Sequence, residues 1–147
     1  MTPEEDVVRR LIEECVNVHR AERMDAYVTP DVRVHAATPG ATPDTAGIDE
    51  LRTSFAGFRA VFPDLHITVE DVVAAGDRVA LRWTAKGTHA GELAGIAGTG
   101  RQVRWGGIDV YRLDGGRIAE WWRNDDQAGL LAQLTAPSRG SPRACEG

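Results

Sequence analysis

Between Trp105 and Asp126 the chain gathers three tryptophans, one tyrosine and five acidic residues. A carboxyl group held among indole rings loses the water that stabilises its charge. Its pKa then rises toward the range useful for moving protons. Two alternating segments flank Gly115-Gly116, and a two-residue turn there sets the register of a hairpin. Leu113 then faces Ile118, Tyr111 faces Glu120, Asp109 faces Trp122 and Trp105 faces Asp126. One face is expected to hold Trp105, Asp109, Tyr111, Glu120, Trp122, Asn124 and Asp126. The other is expected to hold Ile108, Val110, Ala119, Trp121, Arg123 and Asp125. A dry core would not take three unpaired carboxylates, and a wet face would not favour two tryptophans. A pocket wall accommodates both.

Asp126 is the first candidate acid–base residue, with Asp125 one position away as its alternate. Either could instead cap the apolar helix that follows, a role suited to aspartate. Asp109 and Glu120 could equally form structural ion pairs with arginines. Of the four histidines, His19 sits where a helix ends and His66 where a strand begins, so both read as structural. His35 closes a short strand beside a long loop, and His89 ends a strand in Gly87-Thr88-His89-Ala90-Gly91. These two are the histidine candidates for touching a substrate. No histidine pair has zincin spacing, no CxxC occurs, and neither GxSxG nor GxGxxG is present. No metal and no cofactor is expected.

The elements that must position these groups follow from periodicity. Thr2-Pro3-Glu4-Glu5 opens a helix whose apolar stripe is Val7, Val8, Leu11, Ile12, Cys15 and Val18. A short helix is expected over Arg23–Val28, stopped by Thr29-Pro30. A strand follows from Val32 to His35, then a loop over 36–46. A helix over Ile48–Phe62 places Leu51, Phe55, Phe58 and Phe62 on one side. From Leu65 the period becomes two. His66–Ala75 and Arg78–His89 form a hairpin, and a slip of apolar parity between Val69 and Val72 predicts a bulge near Glu70-Asp71. The glycine-rich stretch 91–100 is a loop. A last helix covers about Gln127 to Leu134. The layout is α+β: helices gather early, and antiparallel strands later form a bent sheet that wraps against them. One domain over 1–134 is expected, with 135–147 a disordered tail.

The chain has 147 residues, 42% apolar and 27% charged, with a net charge of −5. Lys86 is the only lysine, and no basic cluster exists, so neither nucleic acid nor an anionic membrane is an expected partner. The acidic N-terminus lacks a signal-like apolar run, and two unpaired cysteines fit a reduced, cytoplasmic setting.

Four pieces in order, Phe62-Pro63-Asp64-Leu65, Gly76-Asp77-Arg78-Val79, Gly87-Thr88-His89-Ala90-Gly91 and Glu120-x-Trp122-x-x-x-Asp126, resemble the SnoaL-like polyketide cyclases of the NTF2-like superfamily. The likeness covers residues 4 to 134. It implies a cone-shaped α+β barrel, a homodimer or homotetramer, and a cofactor-free intramolecular aldol closure of an aromatic polyketide-type ester. It also implies that an aspartate after the last strand is the acid–base residue, which falls on Asp126. His89, His35, Asn124 or Tyr111 would hydrogen-bond the enolate. Trp105, Trp122, Phe55 and Phe58 would stack on the flat substrate, with Asp109 on the same wall. Relatives with this fold include ring-hydroxylation accessories, epoxide openers, dehydratases and passive binders, so these stand as alternative functions.

Overall fold

The computed structural model describes residues 1–36 and 44–137. Helix α1 (Pro3–Arg10) begins as the sequence dictates. The Thr2 hydroxyl accepts from Glu5 N–H at 3.1 Å, proline occupies the first turn, and Glu4, Glu5 and Asp6 face the positive helix end. The helix then widens into a π-helical stretch, Leu11–Asn17. Val8, Leu11, Ile12 and Cys15 are buried as the stripe required. Val18, past the wide turn, is exposed. Burial pushes the Cys15 thiol up to about 12, which leaves it unreactive. A 3₁₀ helix (Ala21–Ala26) follows.

Six strands form one curved sheet: β1 (Val28–His35), β2 (Thr45–Ala46), β3 (His66–Ala75), β4 (Arg78–Thr88), β5 (Gln102–Asp114) and β6 (Arg117–Trp122). Helix α2 (Ile48–Val61) connects β2 to β3, and α3 (Gln127–Thr135) closes the described chain. The spatial order is β2-β1-β6-β5-β4-β3. All neighbours are antiparallel except β1 and β6, so the sheet is mixed at that one pair. The α+β layout stands, with helices lining the concave side.

Alternation decides what the concave side holds. Val79, Leu81, Trp83 and Ala85 of β4 are buried, as are Val103, Trp105, Asp109, Tyr111 and Leu113 of β5. Two bulges shift the parity of β3 and β6. Glu70 is the extra residue in β3, between Val69 opposite Trp83 and Asp71 opposite Arg82, as the parity slip predicted. Ala119 is the extra residue in β6, between Ile118 opposite Leu113 and Glu120 opposite Arg112. At the free edge of β3 the Asn17 side chain stands in for a neighbouring strand. It accepts from Ile67 N–H at 2.8 Å and donates to Ile67 O at 2.9 Å.

Three local expectations give way. The helix expected at Arg23–Val28 is the 3₁₀ turn over Ala21–Ala26, and Val28 already belongs to β1. Pro30 lies within that strand. The strand tolerates it because pairing to β6 is broken between Val28 and Arg33, so no ladder donor is needed there. The loop expected over 36–46 ends in β2, whose Thr45 and Ala46 pair with Val34 and Arg33. Residues 37–43 of that loop, and the tail from 138 onward, lie outside the described residues.

Gly107 marks the tightest crossing. A Cβ there would lie 2.7 Å from Trp83 Cζ2, 2.8 Å from Asn124 O and 2.9 Å from Asp125 Cα. The Trp83 indole therefore lies against bare backbone, and the segment after β6 passes close over it. Gly107→Ala is expected to destabilise the fold by about 1–3 kcal/mol, because indole and backbone must both move. Urea unfolding checks this, and an unchanged midpoint would show that the crossing has slack.

Candidate active site on the concave face

Asp109 lies at the centre of the concave face and is 4% exposed. Its Oδ2 accepts from the Trp121 indole N–H at 2.9 Å, and its Oδ1 from Asn124 N–H at 3.3 Å. Desolvation pushes its pKa above the usual carboxylate value. The Trp121 hydrogen bond, the nearby Trp83 indole, Arg123 and Asn124 N–H hold it back only in part. Arg123 acts at a distance, with its guanidinium stacked 4.6 Å over the Trp121 ring.

Two polar groups beside this carboxyl have unspent hydrogen-bonding capacity. The Tyr111 hydroxyl and the Trp83 indole N–H are buried and make no hydrogen bond within 3.5 Å, although both lie near enough to Asp109 to act on its carboxylate. Burial first, and the Asp109 charge second, raise the Tyr111 pKa well above that of a free phenol. The Tyr111 and Trp121 rings lie 4.9 Å apart, and Phe55 meets Trp121 edge-on at 6.2 Å. The arrangement is one carboxyl that gains from a proton, two donors able to hold a developing oxyanion, and an aromatic wall.

A second cluster lies toward the end of β4. Phe62 packs 5.0 Å from Trp105 and 6.1 Å from His89. Thr99 N–H donates to His89 Nδ1 at 3.2 Å, which leaves the ring proton on Nε2. That Nε2 and the Trp105 Nε1 are buried and unpartnered. The loop after β4 folds back through His89 N to Arg101 O and Gly100 N to His89 O, so His89 is fixed by its own hairpin.

The concave face thus brings together Asp109, Tyr111, Trp105, His89 and Phe55 of the expected set, and Phe58 packs against the same core. The remainder fall elsewhere. The Ala119 bulge turns Trp121 inward and Trp122 outward, so Trp122 is no pocket residue and lies on the convex side. His35 is beside it there, stacked at 5.6 Å. His35 bridges two carboxylates, Nδ1 to Asp44 Oδ2 at 2.9 Å and Nε2 to Glu120 Oε2 at 2.7 Å, while Arg112 donates to Glu120 at 3.2 Å. Glu120 is a structural ion-pair partner, one of the two roles open to it.

The residues after β6 are corrected in the same way. Asp126 is exposed and caps α3, its side chain accepting from Gly129 N–H at 2.9 Å. A water-exposed cap cannot be the dry base expected at 126. Asp125 bridges by backbone to Gly107, and its carboxylate accepts from Gln127 at 2.6 Å. Asn124 is exposed and contributes its backbone N–H, not its amide, to Asp109. Trp83, Trp121 and Phe62 are the site residues the sequence reading missed. Strict alternation from Val79 through Leu81 pointed to Trp83, and the apolar side of the Ile48–Phe62 helix pointed to Phe62.

A curved sheet closed by N-terminal helices, with a buried carboxyl on its concave side, defines an NTF2-like α+β protein. Among the described residues no group of three or more His, Cys, Asp or Glu could hold a metal, and no helix is long and apolar enough to cross a membrane. The family model for SnoaL-like polyketide cyclases matches residues 6–134. A candidate SnoaL-like polyketide cyclase from Jannaschia Sp. CCS1 shares the fold at TM-score 0.83 and 22% identity, covering 92% of this chain and 94% of that one. IdmH, a candidate polyketide cyclase from Streptomyces antibioticus, is 32% identical at TM-score 0.76, covering 89% and 97%. AclR, a candidate hydroxylase from Streptomyces galilaeus, is 26% identical at TM-score 0.77, covering 89% and 80%. No curated protein matches the chain. The chain belongs to the SnoaL-like polyketide cyclase family.

The His35 bridge has a definite pH signature. Hydrogen bonds to Asp44 and Glu120 raise the His35 pKa, and the same bonds lower those of both carboxylates. The histidine contribution is full below its unfolded value of about 6.5 and fades as pH rises through the higher folded value. The carboxylate contributions are full above about 4 and fade as pH falls through their lower folded values. The stability advantage of wild type over His35→Gln is therefore expected to peak between about pH 4.5 and 6.5 and to shrink on both sides. Urea midpoints of both proteins across pH test this, and a flat difference would contradict the bridge.

Proposed function

We propose that the protein is a cofactor-free acid–base enzyme that closes a ring in an aromatic polyketide-type substrate by an intramolecular aldol reaction. Asp109 is its proton-transfer residue. The observation that carries this reading is a carboxyl buried among tryptophans with no ion-pair contact, beside two buried donors that make no close hydrogen bond. Family membership supports the reaction class.

In this mechanism the ionised Asp109 takes a proton from the carbon alpha to a substrate carbonyl. The Tyr111 O–H and Trp83 N–H hydrogen-bond the enolate oxygen that forms. The enolate carbon attacks a second carbonyl of the same molecule, making one C–C bond and an alkoxide. Protonated Asp109 returns the proton to that alkoxide, so the cycle ends with the enzyme unchanged. A carboxyl with a raised pKa suits both halves, because it holds its proton more firmly than a solvated one. Trp105, Trp121 and Phe55 offer flat faces to the aromatic system. His89, with its proton on Nε2, can hydrogen-bond a further substrate oxygen near Phe62.

The likeness to AclR supports a second reading, an accessory role in ring hydroxylation. Oxygen consumption upon mixing with a reduced aromatic substrate would favour it over the aldol.

Asp109→Asn is expected to abolish deuterium exchange at the alpha carbon of an aromatic β-keto ester, followed by NMR. Tyr111→Phe should slow it by about 10- to 100-fold, the range typical of a lost oxyanion donor or weaker. Asp126→Ala should retain exchange while losing about 1 kcal/mol of stability through the missing helix cap. Exchange that survives Asp109→Asn and vanishes in a folded Asp126→Ala would reverse the assignment.

A further inference from the structure

The bulge that turns Trp121 inward brings Arg123, two residues on, to the same side of the sheet. Its guanidinium lies over the Trp121 ring, 4.6 Å from the centroid. The backbone there is pinned from two strands. Arg123 N–H donates to His35 O at 2.9 Å, and Asn124 O accepts from Ile108 N–H at 3.0 Å. Arg10, Arg23, Arg52, Arg78 and Arg112 each pair with a carboxylate. Arg123 pairs with none among the described residues, and its side chain donates no hydrogen bond to them. It is half-buried, so its charge is only partly screened by water. A guanidinium with one face on an indole keeps its edge, a planar fork of N–H donors, turned away from the ring.

Asp109 does not use that fork. It bonds to the indole N–H of Trp121 at 2.9 Å while Arg123 covers the ring, and the Arg123 charge reaches it only at a distance. A contacting pair would hold the carboxyl ionised and unfit to return a proton. We propose that Arg123 binds an ionised carboxylate that the substrate carries besides its reacting carbonyls. The enzyme then prefers an aromatic acid to the same molecule with that group esterified or amidated. The inference rests on the concave face being the substrate site, and it adds the charge of the substrate. Stacking on Trp121 orders the fork before a ligand arrives, which lowers the cost of binding. A carboxylate matches the fork with two parallel N–H···O bonds, a fit that a neutral amide or ester lacks. Trp121 thereby sets two anions in relation, Asp109 through its N–H and the substrate carboxylate through the arginine on its face. One indole separates them, so the carboxylate lies about one ring away from the carbon that Asp109 deprotonates. The two anions repel each other, and that repulsion is measurable.

Isothermal titration calorimetry of the full chain with naphthoate and naphthamide tests the proposal at about pH 8, where the acid is fully ionised. Circular dichroism confirms that each variant is folded. Wild type is expected to bind the acid about 10-fold more tightly than the amide, or better. Arg123→Met keeps an apolar cover on Trp121, and should weaken the acid to the level of the amide while leaving the amide nearly unchanged. Asp109→Asn should tighten the acid about 3-fold or more, because the neighbouring negative charge is gone, with little effect on the amide. Equal affinities for acid and amide in wild type would overturn the proposal. So would a preference that survives Arg123→Met, an acid affinity indifferent to Asp109→Asn, or failure to bind either probe. The titration needs no turnover. A wild type that binds the probes as expected yet exchanges no alpha deuterium sinks the aldol closure and leaves the role of Arg123 standing.

Discussion

One inserted residue, Ala119, decides which face of the sheet each later side chain of β6 occupies. Before it, Ile118 points into the core opposite Leu113. After it, Glu120 and Trp122 point outward and Trp121 points in. Because strand side chains alternate with period two, a single extra residue exchanges every subsequent assignment. The hydrogen bond from Trp121 to Asp109 exists only in this register, and so does the bond from His35 to Glu120. The inner carboxyl site and the outer ion-pair bridge are both consequences of the same bulge.

Asp109 is a local cost that the rest of the core must carry. An ionised carboxylate removed from water without a contacting cation destabilises the fold by several kcal/mol, which two hydrogen bonds offset only in part. The surrounding core supplies the balance through large apolar side chains: Leu51 from α2 and Phe62 just past its end, Leu81 and Trp83 from β4, and Tyr111 and Trp105 from β5. Folding stability alone would favour a neutral residue at 109. A carboxyl kept there at this cost is what the proposed proton-transfer role would account for.

The sequence carried the inner face of β4 and β5 plainly, because long strands of unbroken alternation leave one reading. Trp105, Asp109 and Tyr111 share a face for that reason. The β3 bulge was legible too, since Val69 and Val72 are both apolar and their spacing is odd. The β6 bulge was not. Trp121 and Trp122 are adjacent and identical, so a one-residue slip leaves the hydrophobic pattern unchanged. The choice between them is made by tertiary contacts, Asp109 attracting one indole N–H and His35 stacking on the other ring. Asp126 was expected in a dry setting and is exposed, for a different reason. Its place directly before a helix satisfied the family pattern and the capping rule equally well, and geometry favoured the cap.

The two faces are coupled through three consecutive residues. Glu120 is held from outside by His35 and Arg112, Trp121 is held from inside by Asp109, and Trp122 is stacked from outside by His35 and Arg78. A strand gripped alternately from both sides has little freedom to slide or rotate, and the indole that positions Asp109 inherits that restraint. The outer ion pairs need not touch a substrate to matter for the inner site. They fix the backbone from which Trp121 projects, and a buried hydrogen bond of 2.9 Å tolerates little error in that projection. The outer ion pairs and the inner Asp109 contacts are two sides of one strand.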